Sequence, residues 1–406
     1  MVFDSLKIRE KFLPLNQRIN GKPPIYLDNA CVTLKPISVV NAITKYYNGF
    51  PGCHGRSLHY FGEKTSKYYN LARQSIRKFI NAKWTEEIIF TRNVTEGINI
   101  LSNIIPFKNK TVLISELEHN SNLLPWQVLK QKKGVELSVF KLNKDLTFSV
   151  ERFKEKLNRG LGVVSIPHMS NVTGVVYPIR EIAELVHENG ALLIVDGAQA
   201  VSSNQIDAQK DGVDFYVFSA HKMYGPSGIG CLYGKRELLT RYPPFLVGGE
   251  TVTDSRFDSF TISALPDKYE AGLQDYAGAI GFGAAVSFIE KIGLQNIKDC
   301  VTRLNSRLSD ELADDKNINL IGPRDPGLRN SIFNFYIDNI DPFMLTGILN
   351  RSRNIMARCG KHCAHSWYNE NRIPDSIRVS FGVYNTIEEI DILVREIKNI
   401  IRCYKK

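Results

Sequence analysis

The sequence predicts an α/β protein with a largely parallel, buried sheet in its first two thirds and a smaller α+β unit behind it. Three observations carry that expectation. Short apolar runs alternate with amphipathic stretches up to about residue 290, a Gly-rich segment at 278–283 precedes a change of pattern, and the last third holds helices with few strand runs. In chain order, strands are expected at 88–91, 112–115, 163–166, 192–195 and 215–218. Each is too short for a helix and nearly all apolar, as a strand covered on both faces must be. Between the third and fourth, Ile179, Ile182, Ala183 and Val186 recur at helical spacing, and Gly190 is placed to end that helix. Near the far end, Thr386 and Glu389 fit a capping box, after which Ile390, Leu393, Val394 and Ile397 form the apolar face of a terminal helix. The expected division is a large unit over 21–290 and a small one over 291–406, with residues 1–20 packing on the small one.

Composition narrows the class. A chain of 406 residues, 43% hydrophobic and 23% charged, is no peptide hormone, disordered linker or disulfide scaffold. The net charge of +10, 52 basic minus 42 acidic residues, comes from basic residues scattered among acidic ones, which indicates a solvated surface rather than a nucleic-acid partner. Seven cysteines, an odd number spread over a long chain, point to a reducing, cytoplasmic setting. Charged residues stand where a signal peptide would need an apolar core, and the longest uncharged stretch, 160–179, contains two prolines, so neither a secretion signal nor a membrane span is expected.

A parallel sheet presents its chemistry at the carboxyl ends of the strands. There the sequence is polar five times in succession: 93–97, 118–120, His168 with Asn171, 196–199 and 219–222. Lys222, behind one strand and ahead of a Gly-rich loop, would be desolvated and suited to Schiff-base chemistry, although alone it would be read as a surface lysine. Asp196 is placed to hold a ring nitrogen protonated, or merely to cap a turn. Thr95, at the start of a helix, can offer a hydroxyl and backbone amides to a phosphate, with Ser219 and His221 closing the other side, or act as a plain N-cap. A lysine, an acid and an anion site are what pyridoxal phosphate requires.

With those residues in place the chain resembles the fold-type I, pyridoxal-phosphate-dependent enzymes of the class V aminotransferase family, and within it the SUF-type cysteine desulfurases, relatives of the selenocysteine lyases. The strongest matches are 195–199 (VDGAQ), 219–226 (SAHKMYGP) and 360–363 (GKHC), and matching motifs run from Tyr26 to Ser380. The resemblance implies a large domain on a mostly parallel seven-stranded sheet, a smaller C-terminal α+β domain and a homodimer. It assigns Lys222 to the Schiff base and the α-proton, Asp196 to the pyridinium nitrogen, Gln199 to the phenolic oxygen and His119 to ring stacking and proton transfer. Thr95, Ser219 and His221 fall to the phosphate, and Asn171 and Arg378 to the substrate carboxylate, with Arg358 and Ala30 beside the substrate.

Cys363 is the residue implied to take sulfur from L-cysteine as a persulfide, releasing alanine, and to pass it to an acceptor protein for iron–sulfur or thio-cofactor assembly. Arg358, Lys361 and His362 around it are expected to favour the anionic sulfur. A buried structural cysteine, or a metal site of Cys359, His362 and Cys363, are the competing readings; no metal is expected. A selenocysteine lyase or carbon–sulfur β-lyase is the nearest alternative activity, and a catalytically weak scaffold the alternative of another class. Several positions depart from the family pattern. Leu273 stands where a phosphate-binding threonine is usual, Asn93 replaces a glycine, Cys31 interrupts the run after Asn29 and Ala30, Lys361 replaces a frequent histidine, and the loop around Cys53 and His54 differs in spacing.

Overall fold

The computed structural model describes residues 5–107 and 110–404. Seven strands form the central sheet: β1 (Ile88–Thr91), β2 (Thr111–Ser115), β3 (Glu136–Phe140), β4 (Leu161–Pro167), β5 (Leu192–Asp196), β6 (Phe215–Ser219) and β7 (Gly230–Gly234). Their order is β1-β7-β6-β5-β4-β2-β3, and β7 alone runs against its neighbours. Strands β4, β6 and β7 are buried along their whole length, which is why their residues form continuous apolar runs rather than alternations.

Sequence periodicity missed two of the seven. Strand β3 lies at the sheet edge with only Phe140 fully buried, so no apolar run marks it. Strand β7 begins and ends in glycine and continues directly from the Gly-rich loop after Lys222, so no apolar alternation sets it apart. Those glycines have a packing reason. A Cβ at Gly230 would come within 2.8 Å of the Phe218 carbonyl oxygen and 3.0 Å of the Asn93 Cα. The missing side chain lets the start of α2 (Val94–Ile104) sit against the sheet.

Helix α1 (Tyr60–Phe79) precedes β1, α2 follows it, α3 (Asn120–Lys133) follows β2, and α4 (Ile179–Glu188) joins β4 to β5. The Gly-rich segment lies inside helix α5 (Tyr276–Ile292), one of the most buried in the chain. A Cβ at Gly283 would stand 3.0 Å from the Ala72 Cα of α1, and one at Gly281 would stand 2.9 Å from Ile43, so these glycines mark close helix contacts rather than a linker. Among the described residues no single helix is long and apolar enough to cross a membrane.

A second core gathers behind the sheet β8-β9-β11-β10, formed by β8 (Asn319–Leu320), β9 (Ile332–Tyr336), β10 (Arg358–Gly360) and β11 (Ser376–Ser380), all antiparallel. Helices α6 (Leu294–Leu312) and α7 (Ile387–Tyr404) cover it with Leu304, Leu308, Ile390, Leu393 and Ile397. The expected capping box forms, the Glu389 amide donating to Thr386 Oγ1 and the Thr386 amide to a Glu389 carboxylate oxygen.

The N-terminal segment departs from the expected division. Ile25 and Leu27, assigned to the large unit, are buried in the second core, where Ile25–Tyr26 pairs in parallel with Ile355–Met356. Ile8, Phe12 and Leu15 belong instead to the large core, while Arg9 reaches across to Glu389 at 2.8 Å. The Phe12 ring packs on Tyr224, Phe288 and Tyr384. Periodicity could not show this, because a short segment wedged between two cores buries side chains in both directions.

Candidate active site

A cavity of about 250 Å³ opens where the carboxyl ends of β2, β4, β5 and β6 meet β10 and β11. The residues assigned to the cofactor, the substrate and the sulfur all line it: Ala30, Thr95, His119, Asn171, Asp196, Gln199, Ser219, His221, Lys222, Arg358, Cys363 and Arg378. These positions are scattered over nearly 350 residues of sequence; the large sheet gathers those at or just after its strand ends, while Arg358, Cys363 and Arg378 come from the small antiparallel sheet and the segment after β10, and Ala30 from the turn after Ile25–Tyr26.

Asp196 ends β5. Its side chain accepts the Ala198 amide at 2.9 Å, and burial pushes its carboxyl up while Lys222 and that amide pull it back. Lys222 follows β6 in a short 3₁₀ turn. Burial holds its ammonium below the usual lysine range, opposed by the nearby Asp196 and reinforced by Arg378. Ser219, the last residue of β6, accepts the Val94 amide at 3.0 Å and so ties that strand to the first turn of α2. Beside it, Thr95 Oγ1 and Ser121 Oγ are 2.7 Å apart.

His119 caps α3, its Nδ1 accepting the Ser121 amide at 3.0 Å. That bond leaves the proton of the neutral ring on Nε2. Burial first, then Lys222 and Arg378, lower its pKa to about 3, and burial with Lys222 and Lys35 lowers that of His221 to about 4, so both rings are neutral near pH 7. Gln199 spends its amide nitrogen on the Ala30 carbonyl at 2.7 Å, pinning Ala30 to the β5 end of the cavity.

Arg378 and Arg358 face each other in register on β11 and β10. Arg378 is buried; it donates to the Asn171 carbonyl at 2.9 Å, lies 3.8 Å from Asp28, and its Nε has no hydrogen-bond partner among the described residues. Arg358 grips both oxygens of Asp28 at 3.1 Å. Asp28 sits inside a matched motif, yet no role was read for it, because its significance lies in two arginines 330 and 350 residues away.

Cys363 is exposed at the cavity rim, on a segment with left-handed backbone at His362 (φ 49°) and Cys363 (φ 58°). Two hydrogen bonds pin this segment: the Asn120 amide donates to the Cys363 carbonyl and Asn171 Nδ2 to the His362 carbonyl, both at 2.7 Å. The basic surroundings differ from expectation. His362 is buried against Ser376 and burial drives its pKa well below the ordinary histidine value, so it carries no charge, while Lys361 bonds Asn369. Arg358 and Lys222 are the cations that feel the Cys363 sulfur. Cys359 does not line the cavity; it packs against the second core and lies 3.4 Å from Thr346 Oγ1.

The departures noted in the sequence also find places. Leu273 is 76% exposed and lines a different cavity. Nearby Glu270 is buried, holding Arg73 through two bonds of 2.7 and 2.8 Å while accepting Tyr69 Oη and the Phe90 amide. Cys53 lies 3.8 Å from Tyr276 Oη and His54 2.9 Å from Ser66 Oγ, and neither lines the cavity. Asn93, Ser121, His362 and Cys31 do line it. Ser121 had no sequence signal, being one polar residue in a polar helix start.

A desolvated lysine beside a buried acid, with an anion cradle at the start of α2, defines a fold-type I pyridoxal-phosphate enzyme, and the cavity residues fit that cofactor. The Aminotransferase class-V family model matches residues 25–393, and the chain belongs to that family. It is 37% identical to a probable cysteine desulfurase of Halalkalibacterium halodurans over 96% of both chains, and 36% identical to a cysteine desulfurase of Haloferax volcanii over 92% of this chain and 88% of that one. Among solved structures it resembles the Escherichia coli cysteine desulfurase CsdA, with a TM-score of 0.91 and 30% identity, covering 99% of this chain and 100% of that one. The apo cysteine desulfurase of Thermococcus onnurineus gives a TM-score of 0.92 at 30% identity, over 98% of each chain.

Proposed function

We propose that the chain is a cysteine desulfurase that converts L-cysteine to L-alanine and carries the sulfur away as a persulfide on Cys363. The observation that carries this reading is an exposed thiol on a pinned, left-handed segment sharing one cavity with Lys222. Relatives along the whole chain bear the same name. When bound, pyridoxal phosphate supplies the electron sink that lets the α-proton leave and the carbon–sulfur bond open. Asp196 would meet its ring nitrogen, Gln199 and His119 its ring, and Thr95, Ser219 and His221 its phosphate.

The chain's own residues do the rest. Arg378 and Asn171 bind the substrate carboxylate, which fixes the α-carbon over Lys222. Lys222, with its pKa held down by burial, takes the α-proton as a general base. The Cys363 sulfur attacks the substrate sulfur; an S–S bond forms, the C–S bond breaks and its electron pair stays with the carbon fragment that leaves as alanine. Arg358 supplies positive charge beside the attacking sulfur.

The sulfur then passes to an acceptor thiol, on this reading one belonging to iron–sulfur or thio-cofactor assembly in the cytoplasm. We also place the working enzyme as a homodimer, in keeping with the exposed apolar side chains of Leu58, Tyr60, Phe61, Phe257 and Leu273. Sedimentation at micromolar concentration checks the dimer.

Product analysis tests the main proposal. Cofactor-loaded wild type given L-cysteine and a thiol reductant is expected to form alanine, and Cys363→Ala to lose at least a hundredfold in rate while keeping its cofactor absorbance. Pyruvate from both proteins would make the enzyme a β-lyase, and no product from either would favour a scaffold.

A further inference from the structure

Of the seven cysteines, two line the cavity, and only one of them is used above. Cys31 is half-buried in the turn that follows the Ile25–Tyr26 strand, with its amide donating to the Asp28 carbonyl at 3.1 Å and its thiol free. Its sulfur stands among four cations, Lys35, Lys222, Arg358 and Arg378, each of which feels it electrostatically. Lys222 and Arg358 feel Cys363 as well. The two cysteines thus line one cavity of about 250 Å³ and share two of the same positive charges.

Cys363 also stands on backbone that can yield. Its two pinning hydrogen bonds are to backbone carbonyls, and the left-handed conformations at His362 and Cys363 are strained for residues with a side chain, a cost that a rearrangement would recover. Gly360, at φ 111°, supplies a pivot with open space, the nearest atom to a Cβ there being Phe343 Cζ at 3.9 Å.

Resting on the reading of Cys363 as the persulfide carrier, we propose that Cys31 is a resolving thiol that discharges this persulfide when no acceptor arrives. The Cys31 sulfur attacks the inner sulfur of the persulfide. A Cys31–Cys363 disulfide forms, the bond to the terminal sulfur breaks, and that sulfur leaves with the electron pair as hydrosulfide, taking up the proton that Cys31 gives up. The persulfide itself is the oxidant, so none is needed from outside. The enzyme then releases one sulfide and stays closed until a thiol reductant, consumed in the process, reopens it.

A first-turnover experiment tests this. Full-length, cofactor-loaded protein is reduced, freed of thiol and mixed with less than one equivalent of L-cysteine, and alanine, sulfide and peptide masses are measured after alkylation. In wild type the ratio of sulfide to alanine is expected to be about one, with a peptide linking residues 31 and 363 that has lost two hydrogens. In Cys31→Ser the ratio should fall at least tenfold and the Cys363 peptide should carry an extra sulfur; Cys31→Ala serves as a second variant should the serine misfold. Equal ratios in wild type and variant, or a wild-type persulfide with no cross-link, would overturn the resolving role alone. Alanine formation that survives in Cys363→Ser would overturn the persulfide reading, and the resolving role with it.

Discussion

Arg378 spends one terminal nitrogen on the Asn171 carbonyl and leans toward Asp28, which leaves its buried Nε to be completed by an incoming carboxylate. A lysine cannot offer that fork. Arg378→Lys is therefore expected to raise KM for L-cysteine at least tenfold and to lower kcat less, as steady-state kinetics would show. His119 gives a pH expectation. Its pKa is lowered to about 3, so it does not change charge between pH 5 and 8, and His119→Gln should lower activity without removing any inflection from the pH–rate profile in that window. Single residues were legible in the sequence where chemistry demands a rare type after a strand, as with Lys222 and Asp196. Asp28 was not, because it acts only through arginines distant in sequence, and His362 was misjudged as a charge because a sequence does not show that burial keeps an imidazole neutral.

Helix α2 can supply its amides only because Gly97 lets it lie on β6, where a Cβ would meet Val217 Cγ1 at 2.4 Å. Gly97→Ala should lift the helix and weaken cofactor retention several-fold, measured by fluorescence titration. Another element joint is the pair of Arg73 on α1 and Glu270 ahead of α5, both nearly inaccessible. Removing one charge leaves the other buried and unpaired, so Glu270→Gln is expected to cost about 3 kcal/mol in denaturant unfolding, much of it recovered in Arg73→Met/Glu270→Leu. At this scale the sequence showed the buried strands as apolar runs and α4 as a 3.6-residue period. It hid β3, an edge strand without a buried face, and β7, whose glycines serve helix packing and look like a loop.

For the whole molecule, Lys35 links the site to stability. Burial lowers its pKa to about 8, below the value it recovers on unfolding. Below pH 8 the folded protein bears the cost of a partly desolvated ammonium, and that cost fades as pH rises toward 10.5, because the unfolded chain then binds the proton more tightly. Lys35→Met should thus be more stable than wild type at pH 7 by roughly 1–2 kcal/mol, after allowing for partial exposure, with the difference shrinking above pH 8 in urea titrations. The alternation of strands and helices made the large unit legible, whereas the path of the first 30 residues was not, since its partners lie at the other end of the chain.

That path has a consequence for synthesis. Arg9 is bonded to Tyr384 and Glu389, Ile25 is paired with Ile355, and Asn29 is held by Ser380. A ribosome therefore emits the first segment of the fold long before the residues it must join, and the nascent chain carries Phe12 and Leu27 without their final burial until about residue 390 has cleared the exit tunnel. A message truncated anywhere before that point yields a polypeptide with both ends of its fold open, conspicuous to chaperones and proteases, and the cavity bounded by Ala30, Cys363 and Arg378 cannot be built until those late residues have joined the first thirty.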